Sequence, residues 1–199
     1  MFLSFEGLDG CGKTTQVELL EAYLETKEIE FVATREPGGT VLGEQLREIV
    51  LHGDKISPWA EVAIFAAARA ELVEEVIEPA LKRGAIVISD RFVDSSLVYQ
   101  GVARGLGIEE VLQLNLHATK GLLPDRTFLL LVDQQLSEAR VGEERDRMER
   151  ESAAFRRQVE AGYRQLAEMF PERIVALDGT QPREQIAREI RQALVEGAS

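Results

Sequence analysis

The residues Gly7-Leu8-Asp9-Gly10-Cys11-Gly12-Lys13-Thr14 match the pattern G-x-x-x-x-G-K-[ST] in full. Glycines at that spacing let the backbone turn so that successive N–H groups converge on phosphate oxygens. An apolar run, Phe2–Glu6, precedes the loop and a helical pattern opens near Lys13, which adds the positive end of a helix dipole. Lys13 is expected to reach the outer phosphates of a nucleoside triphosphate, and the Thr14 hydroxyl to ligate Mg²⁺. The expected cradle is therefore Gly7, Leu8, Asp9, Gly10, Cys11, Gly12, Lys13 and Thr14, with Thr15 behind them. Asp9 is out of place there, because a carboxylate repels a triphosphate. It reads either as a turn residue capping the backbone after it, or as a group aimed away toward a hydroxyl of a second substrate.

Other chemistry-bearing residues recur at the ends of apolar runs. Asp90 follows Ala85–Ser89, where an aspartate either holds Mg²⁺ through water or simply forms a turn. Arg91 comes next and can clamp a phosphate bidentately. Phe65 and Arg69 are four apart on a helical pattern, so a ring able to stack on a base sits beside a guanidinium able to bond its carbonyl. Ser96, Tyr99 and Gln100 share a face if their segment is helical, and offer hydroxyl and amide groups to a base edge. The alternatives are that Phe65 belongs to the core and Ser96 caps a helix; spacing alone leaves the substrate open. In Thr34-Arg35-Glu36-Pro37-Gly38-Gly39-Thr40, Arg35 and Glu36 either stand at the mouth of a phosphate cleft or only close a strand–helix turn.

The elements that must position these groups alternate. Phe2–Phe5, Phe31–Thr34, Ala85–Ser89, Thr127–Val132 and Ile174–Leu177 read as short strands apolar on successive positions, as expected when both faces are covered. Helical patterns run over Lys13–Thr26, Thr40–Leu51, Pro58–Lys82, Ile108–Thr119, Ser152–Met169 and Pro182–Glu196, the last with Thr180 as its expected N-cap. This order predicts a parallel sheet with helices on both faces, in one domain spanning residues 1–199. Between Glu138 and Arg164 lie seven of the eighteen arginines, interleaved with acids. Most read as ion pairs on a solvated helix, while the Gly142-containing stretch with Arg140, Arg145 and Arg147 reads as a flap.

Composition narrows the function classes. The net charge of −12 repels polyanions, so general nucleic-acid binding is not expected. No apolar run approaches the roughly 20 residues of a membrane span, and no basic n-region follows Met1. One cysteine, Cys11, cannot form an internal disulfide, and His52 and His117 lack metal-ligand spacing; a cytoplasmic enzyme is the expectation. Cys11, beside the phosphate loop and near a helix N-terminus, is a candidate reactive thiol that a bound nucleotide would protect, or else only a small residue tolerated there.

The chain closely resembles the bacterial thymidylate kinases. FEGLDGCGKTTQ, TREPGGT, AEVAIFAAARAEL, SDRFVDSSLVYQG and RDRMERE carry the likeness, which spans essentially the whole sequence. The resemblance implies a P-loop kinase fold: three-layer α/β/α, a five-stranded parallel sheet and an arginine-bearing lid at about residues 138–150. It implies transfer of the γ-phosphoryl group of ATP to dTMP with Mg²⁺, giving dTDP and ADP for dTTP synthesis, in a homodimer. By the same resemblance Asp9 would bind the dTMP 3′-hydroxyl and Arg35 and Arg91 its phosphate. Phe65 would stack on thymine, Arg69 and Gln100 would bond its edge with Ser96 beside them, Tyr99 would lie under the deoxyribose, and Arg47 near the base. The loop itself has no arginine, which resembles the subclass that uses lid arginines, with Arg140 and Arg145 ahead of Arg147. The alternatives are another small-molecule P-loop kinase, or a nucleotide-dependent switch; against the latter, no N-K-x-D-like element is present.

Overall fold

The computed structural model describes residues 1–140, 142 and 146–196. Its sheet is built from β1 (Phe2–Glu6), β2 (Phe31–Arg35), β3 (Ile86–Asp90), β4 (Arg126–Leu131) and β5 (Ile174–Asp178), all paired in parallel in the order β2-β3-β1-β4-β5. β1 is central, with the earlier crossovers on one side of it and the later ones on the other, so loops at the carboxyl ends of the strands part there and leave a crevice.

Alternation along the strands divides the core. Leu3 and Phe5 of β1 and Phe128 and Leu130 of β4 meet Leu20 and Leu24 of α1 (Lys13–Thr26) and Ile186 and Ile190 of α9 (Arg183–Glu196). Phe2, Val87 and Leu129 face the other layer, formed by α2 (Val41–His52), α3 (Pro58–Leu72), α6 (Ile108–Ala118) and α8 (Ala153–Met169). Burying each apolar side chain of this size contributes roughly 1.5–3 kcal/mol. Ser4, Glu6 and Thr127 are buried on that second face as well, and each is hydrogen bonded, without which the same burial would be costly.

The helical pattern over residues 58–82 is continuous, but not uniformly α. After α3 a π-helical turn, Val73–Ile77, leads into α4 (Glu78–Lys82). Pro79 has no N–H and its ring crowds the preceding turn, so widening that turn accommodates it without breaking the helix. A second π-helical stretch, Leu97–Ala103, continues α5 (Val93–Ser96), so Ser96, Tyr99 and Gln100 are helical. Asp94 and Arg173 form a buried ion pair at 2.6 Å, and the Thr127 hydroxyl donates to Asp94 at 2.8 Å, which pins α5 to the sheet. A short helix, α7 (Gln134–Arg140), was not evident from apolar periodicity; Asp133 caps it by accepting from the Leu136 N–H at 2.8 Å. Thr180 does not cap α9. Its hydroxyl and N–H both donate to Asp178 in a turn, and the helix starts at Arg183.

Candidate active site

A cavity of about 850 Å³ opens at the carboxyl ends of β1, β2 and β3. Its phosphate-loop side is Asp9 to Thr15; Gly7 and Leu8 are not part of its lining. Gly7 must be glycine: its φ is +136°, and a Cβ there would come within 2.5 Å of the Leu130 carbonyl. Lys13 folds over the loop, its ammonium donating to the carbonyls of Gly7 at 3.2 Å and Leu8 at 3.0 Å. Thr14 is exposed, and both it and Asp90, the last residue of β3, line the cavity. These are hard oxygen donors of the kind Mg²⁺ takes alongside nucleotide phosphates. Among the described residues no group of three or more His, Cys, Asp or Glu side chains could hold a metal ion without such help. Cys11 is 1% exposed and its side chain packs with Leu130 and Val132, which favours a small residue tolerated in the loop over a reactive thiol.

Arg91 is the junction of the site. Its φ of +70° is a left-handed conformation that costs a non-glycine residue energy and turns the side chain back over β1. Nη2 donates to Asp9 Oδ1 at 2.6 Å, while Nη1 donates to the hydroxyls of Ser95 and Tyr163, each at 3.0 Å. Its guanidinium lies over the Tyr99 ring at 5.4 Å. Burial pushes the Asp9 carboxyl up, but Arg91 and Lys13 outweigh it and hold the group below the usual carboxylate range. Glu6, fully buried beneath, accepts from the Phe92 N–H at 2.8 Å, the Ser95 hydroxyl at 2.6 Å and the Tyr163 hydroxyl at 2.9 Å. Burial and the nearby Asp94 raise its carboxyl.

The far end of the cavity is lined by Arg35, Glu36, Arg47, Phe65, Arg69, Ser96, Tyr99 and Gln100. Arg69 is 1% exposed and each of its N–H donors is engaged. Nε and Nη2 hold Glu36 at 2.8 and 2.5 Å, Nη1 reaches Ser96 Oγ at 3.1 Å and Asn115 Oδ1, and Nη2 also reaches the Phe92 carbonyl at 3.1 Å. A bond from Arg69 to a base would therefore replace one of these. Ser96 is an acceptor for Arg69 and not a helix cap. Phe65 is half-buried, packing on the core with one side and lining the cavity with the other. Arg35 pairs with Glu44 at 3.0 Å and Arg47 donates to the Pro37 carbonyl at 2.8 Å, which braces the strand–helix turn.

A family model described as thymidylate kinase matches residues 5–190. The chain belongs to the thymidylate kinase family. A thymidylate kinase of Caldanaerobacter subterraneus subsp. tengcongensis is 50% identical over 182 residues, covering 90% of this chain and 88% of that protein. One from Thermoanaerobacter sp. strain X514 is 49% identical over 191 residues, covering 95% and 94%. The crystal structure of the Ehrlichia chaffeensis thymidylate kinase aligns with a TM-score of 0.80 at 32% identity, over 98% of each chain. Thymidylate kinases phosphorylate dTMP to dTDP using ATP, and this chain is an enzyme of that family with its α/β fold.

Within this family member, Arg140 at the end of α7 extends Nη1 to 3.5 Å from the Gly10 carbonyl and lines the cavity. Arg145 lies outside the described residues. Arg147 is a brace: Nε donates to the Val50 carbonyl and Nη1 to Glu61, both at 2.7 Å. Sequence reasoning missed Glu6, Glu61, Ser95, Arg104 and Tyr163. The available signal was a carboxylate inside an apolar run, in FLSFE for Glu6 and PWAEVAIF for Glu61. It also missed that the cavity continues past the loop to Gly179, Gln181 and Arg183 at the start of α9.

Proposed function

We propose that this chain transfers the γ-phosphoryl group of ATP to dTMP, with the cavity divided between the two nucleotides at the Asp9–Arg91 pair. The observation that carries this reading is that one cavity holds the phosphate loop at one end and Phe65, Ser96 and Gln100 at the other. ATP would lie along Gly10 to Thr15, its nucleoside toward Gly179–Arg183, with the loop N–H groups and Lys13 on its phosphates. Thr14 and Asp90 would hold Mg²⁺, which would neutralise phosphate charge when bound.

At the other end Arg35 and Arg91 would bind the dTMP phosphate, and Asp9 the 3′-hydroxyl. Phe65 would stack on thymine, Tyr99 would lie under the deoxyribose, Arg69, Ser96 and Gln100 would face the base edge, and Glu36 and Arg47 would support that rim. A phosphate monoester oxygen is already nucleophilic at neutral pH, so the protein's task is alignment and neutralisation of charge on the transferring group. Lys13, Arg91 and Arg140 would supply that neutralisation, with Arg145 as a second lid group. On this reading we assign the enzyme to the lid-arginine subclass, and the reach of Arg140 toward Gly10 supports it. The exposed apolar side chains Val41, Leu42 and Ile49 of α2, with Trp59 in α3, support assembly as a homodimer. No helix among the described residues is long and apolar enough to cross a membrane, and we place the enzyme in the cytoplasm.

The test is ADP release from Mg-ATP with dTMP, dUMP, UMP, dCMP, AMP and GMP in turn. Strong dependence on dTMP with UMP inert is expected. Turnover with another monophosphate but not dTMP would keep the phosphotransferase and overturn the base pocket.

A further inference from the structure

Gln100 is 1% exposed and lines the base end of the cavity. A side-chain amide there can present either its oxygen or its NH₂ group to a ligand, and the two choices select opposite base edges. Here the choice is already made on the other side of the amide. Nε2 donates to Glu61 Oε1 at 2.8 Å. Glu61 is also 1% exposed, and two guanidinium groups close on it: Arg104 through Nε and Nη2, each at 3.1 Å, and Arg147 through Nη1 at 2.7 Å. Burial would raise the Glu61 carboxyl, but the bonds from Arg104, Gln100 and Arg147 outweigh it and hold it below the usual range. An ionised carboxylate only accepts, so a Gln100 amide turned the other way would set oxygen against oxygen with no proton between them.

We infer that Glu61 is a positioning residue that fixes the polarity of the Gln100 amide, so that Oε1 faces the base and the pocket selects a ring N–H. This rests on the thymidylate reading of the cavity and deepens it. Thymine and uracil carry a proton on N3 and satisfy such an acceptor. Cytosine carries a lone pair on N3 and leaves two acceptors facing each other. Arg69 cannot make the distinction as simply, because its donors are committed to Glu36, Ser96, Asn115 and the Phe92 carbonyl. Among the described residues nothing donates to Gln100 Oε1, so it is the atom left to read the ring. A site built to hydrogen-bond one group of a substrate rejects the analogue lacking it far more strongly than a merely apolar pocket does.

The experiment compares kcat/KM for dTMP and dCMP with Mg-ATP in the wild type, Glu61→Gln and Glu61→Asp, with dCMP also assayed as a competitive inhibitor against dTMP. In Glu61→Gln the partner can present either end of its own amide, so Gln100 is free to turn. In Glu61→Asp the carboxylate stays ionised for the arginines but withdraws from Gln100, which keeps the test open if the first variant folds poorly. The expected result is a fall of at least tenfold in the dTMP-to-dCMP preference, expressed in KM for dTMP and in the dCMP inhibition constant, with KM for ATP unmoved. In a Gln100→Leu background, Glu61→Gln should lower the preference no further. A preference within twofold of wild type, with both nucleotides losing activity alike, would make Glu61 only a structural brace and overturn the inference. A wild type that does not turn over dTMP at all would instead overturn the thymidylate reading beneath it.

Discussion

Arg91, the residue after β3, places Nη2 2.6 Å from Asp9 Oδ1 inside the loop that follows β1. This pair gives the carboxylate in the loop a cationic partner. Asp9 is directed toward a guanidinium, and the guanidinium is in turn held by the hydroxyls of Ser95 and Tyr163. Glu6 bonds the same two hydroxyls from below, so the head of Arg91 is fixed by groups from β1, α5 and α8.

Arg91→Lys keeps the charge and loses the fork. An ammonium cannot meet Asp9, Ser95 and Tyr163 together and still face a phosphate, so its position would no longer be defined. The expected outcome is a fall of roughly 10²-fold in kcat, comparable to deleting one preorganised donor to a transition-state oxyanion. Steady-state kinetics with circular dichroism as a control for folding would check it. A kcat within twofold of wild type would remove Arg91 from the chemistry.

Cys11 should be inert in the folded enzyme. Its side chain is 1% exposed, and it is enclosed by the same core that holds Leu3, Leu130 and Val132. Thiolate nucleophilicity requires access, which this buried side chain lacks. Iodoacetamide at neutral pH is expected to leave native protein unmodified and fully active, and to add one carbamidomethyl group after denaturation, as read by intact mass. Rapid native alkylation that nucleotide slows would reverse this.

What was legible in the sequence was what depends on neighbours along the chain. The phosphate loop is a contiguous motif, and the strands are short apolar runs whose two-sided burial follows from helices on both faces. The π-helical turn before Pro79 was hidden because an α and a π turn share almost the same apolar spacing over five residues. The roles of Glu6 and Glu61 were hidden for a different reason. Glu6 bonds partners 86 and 157 residues away, and Glu61 bonds one 86 residues away, so the identity of either carboxylate says nothing about which cations or hydroxyls the fold brings to it. Phe65 and Arg69 illustrate both limits. Their spacing correctly places both on the cavity, but not that the Arg69 donors are taken up by α6 and by the turn after β2.

The Glu36–Arg69 pair makes stability depend on pH in a direction opposite to that of an ordinary surface carboxylate. Burial raises the Glu36 carboxyl to about 7, a rise opposed by Arg69 and reinforced by Glu6. In the unfolded chain the same group titrates near 4.5. The folded state therefore holds this proton more tightly. Its contribution favours folding fully below pH 4.5, declines as pH rises through about 7, and is flat above that. The gap is worth on the order of 3 kcal/mol, or on the order of 10 °C in Tm for a chain of this length. Thermal melts of the wild type and Glu36→Gln at pH 5, 6, 7 and 8 read it directly. The wild type should lose ground to the variant from pH 5 to 7 and then run parallel to it, because glutamine has no proton to release. Parallel melts across the whole range would mean that Arg69 overcomes burial and that Glu36 is ionised throughout, leaving a permanent ion pair at the base end of the cavity.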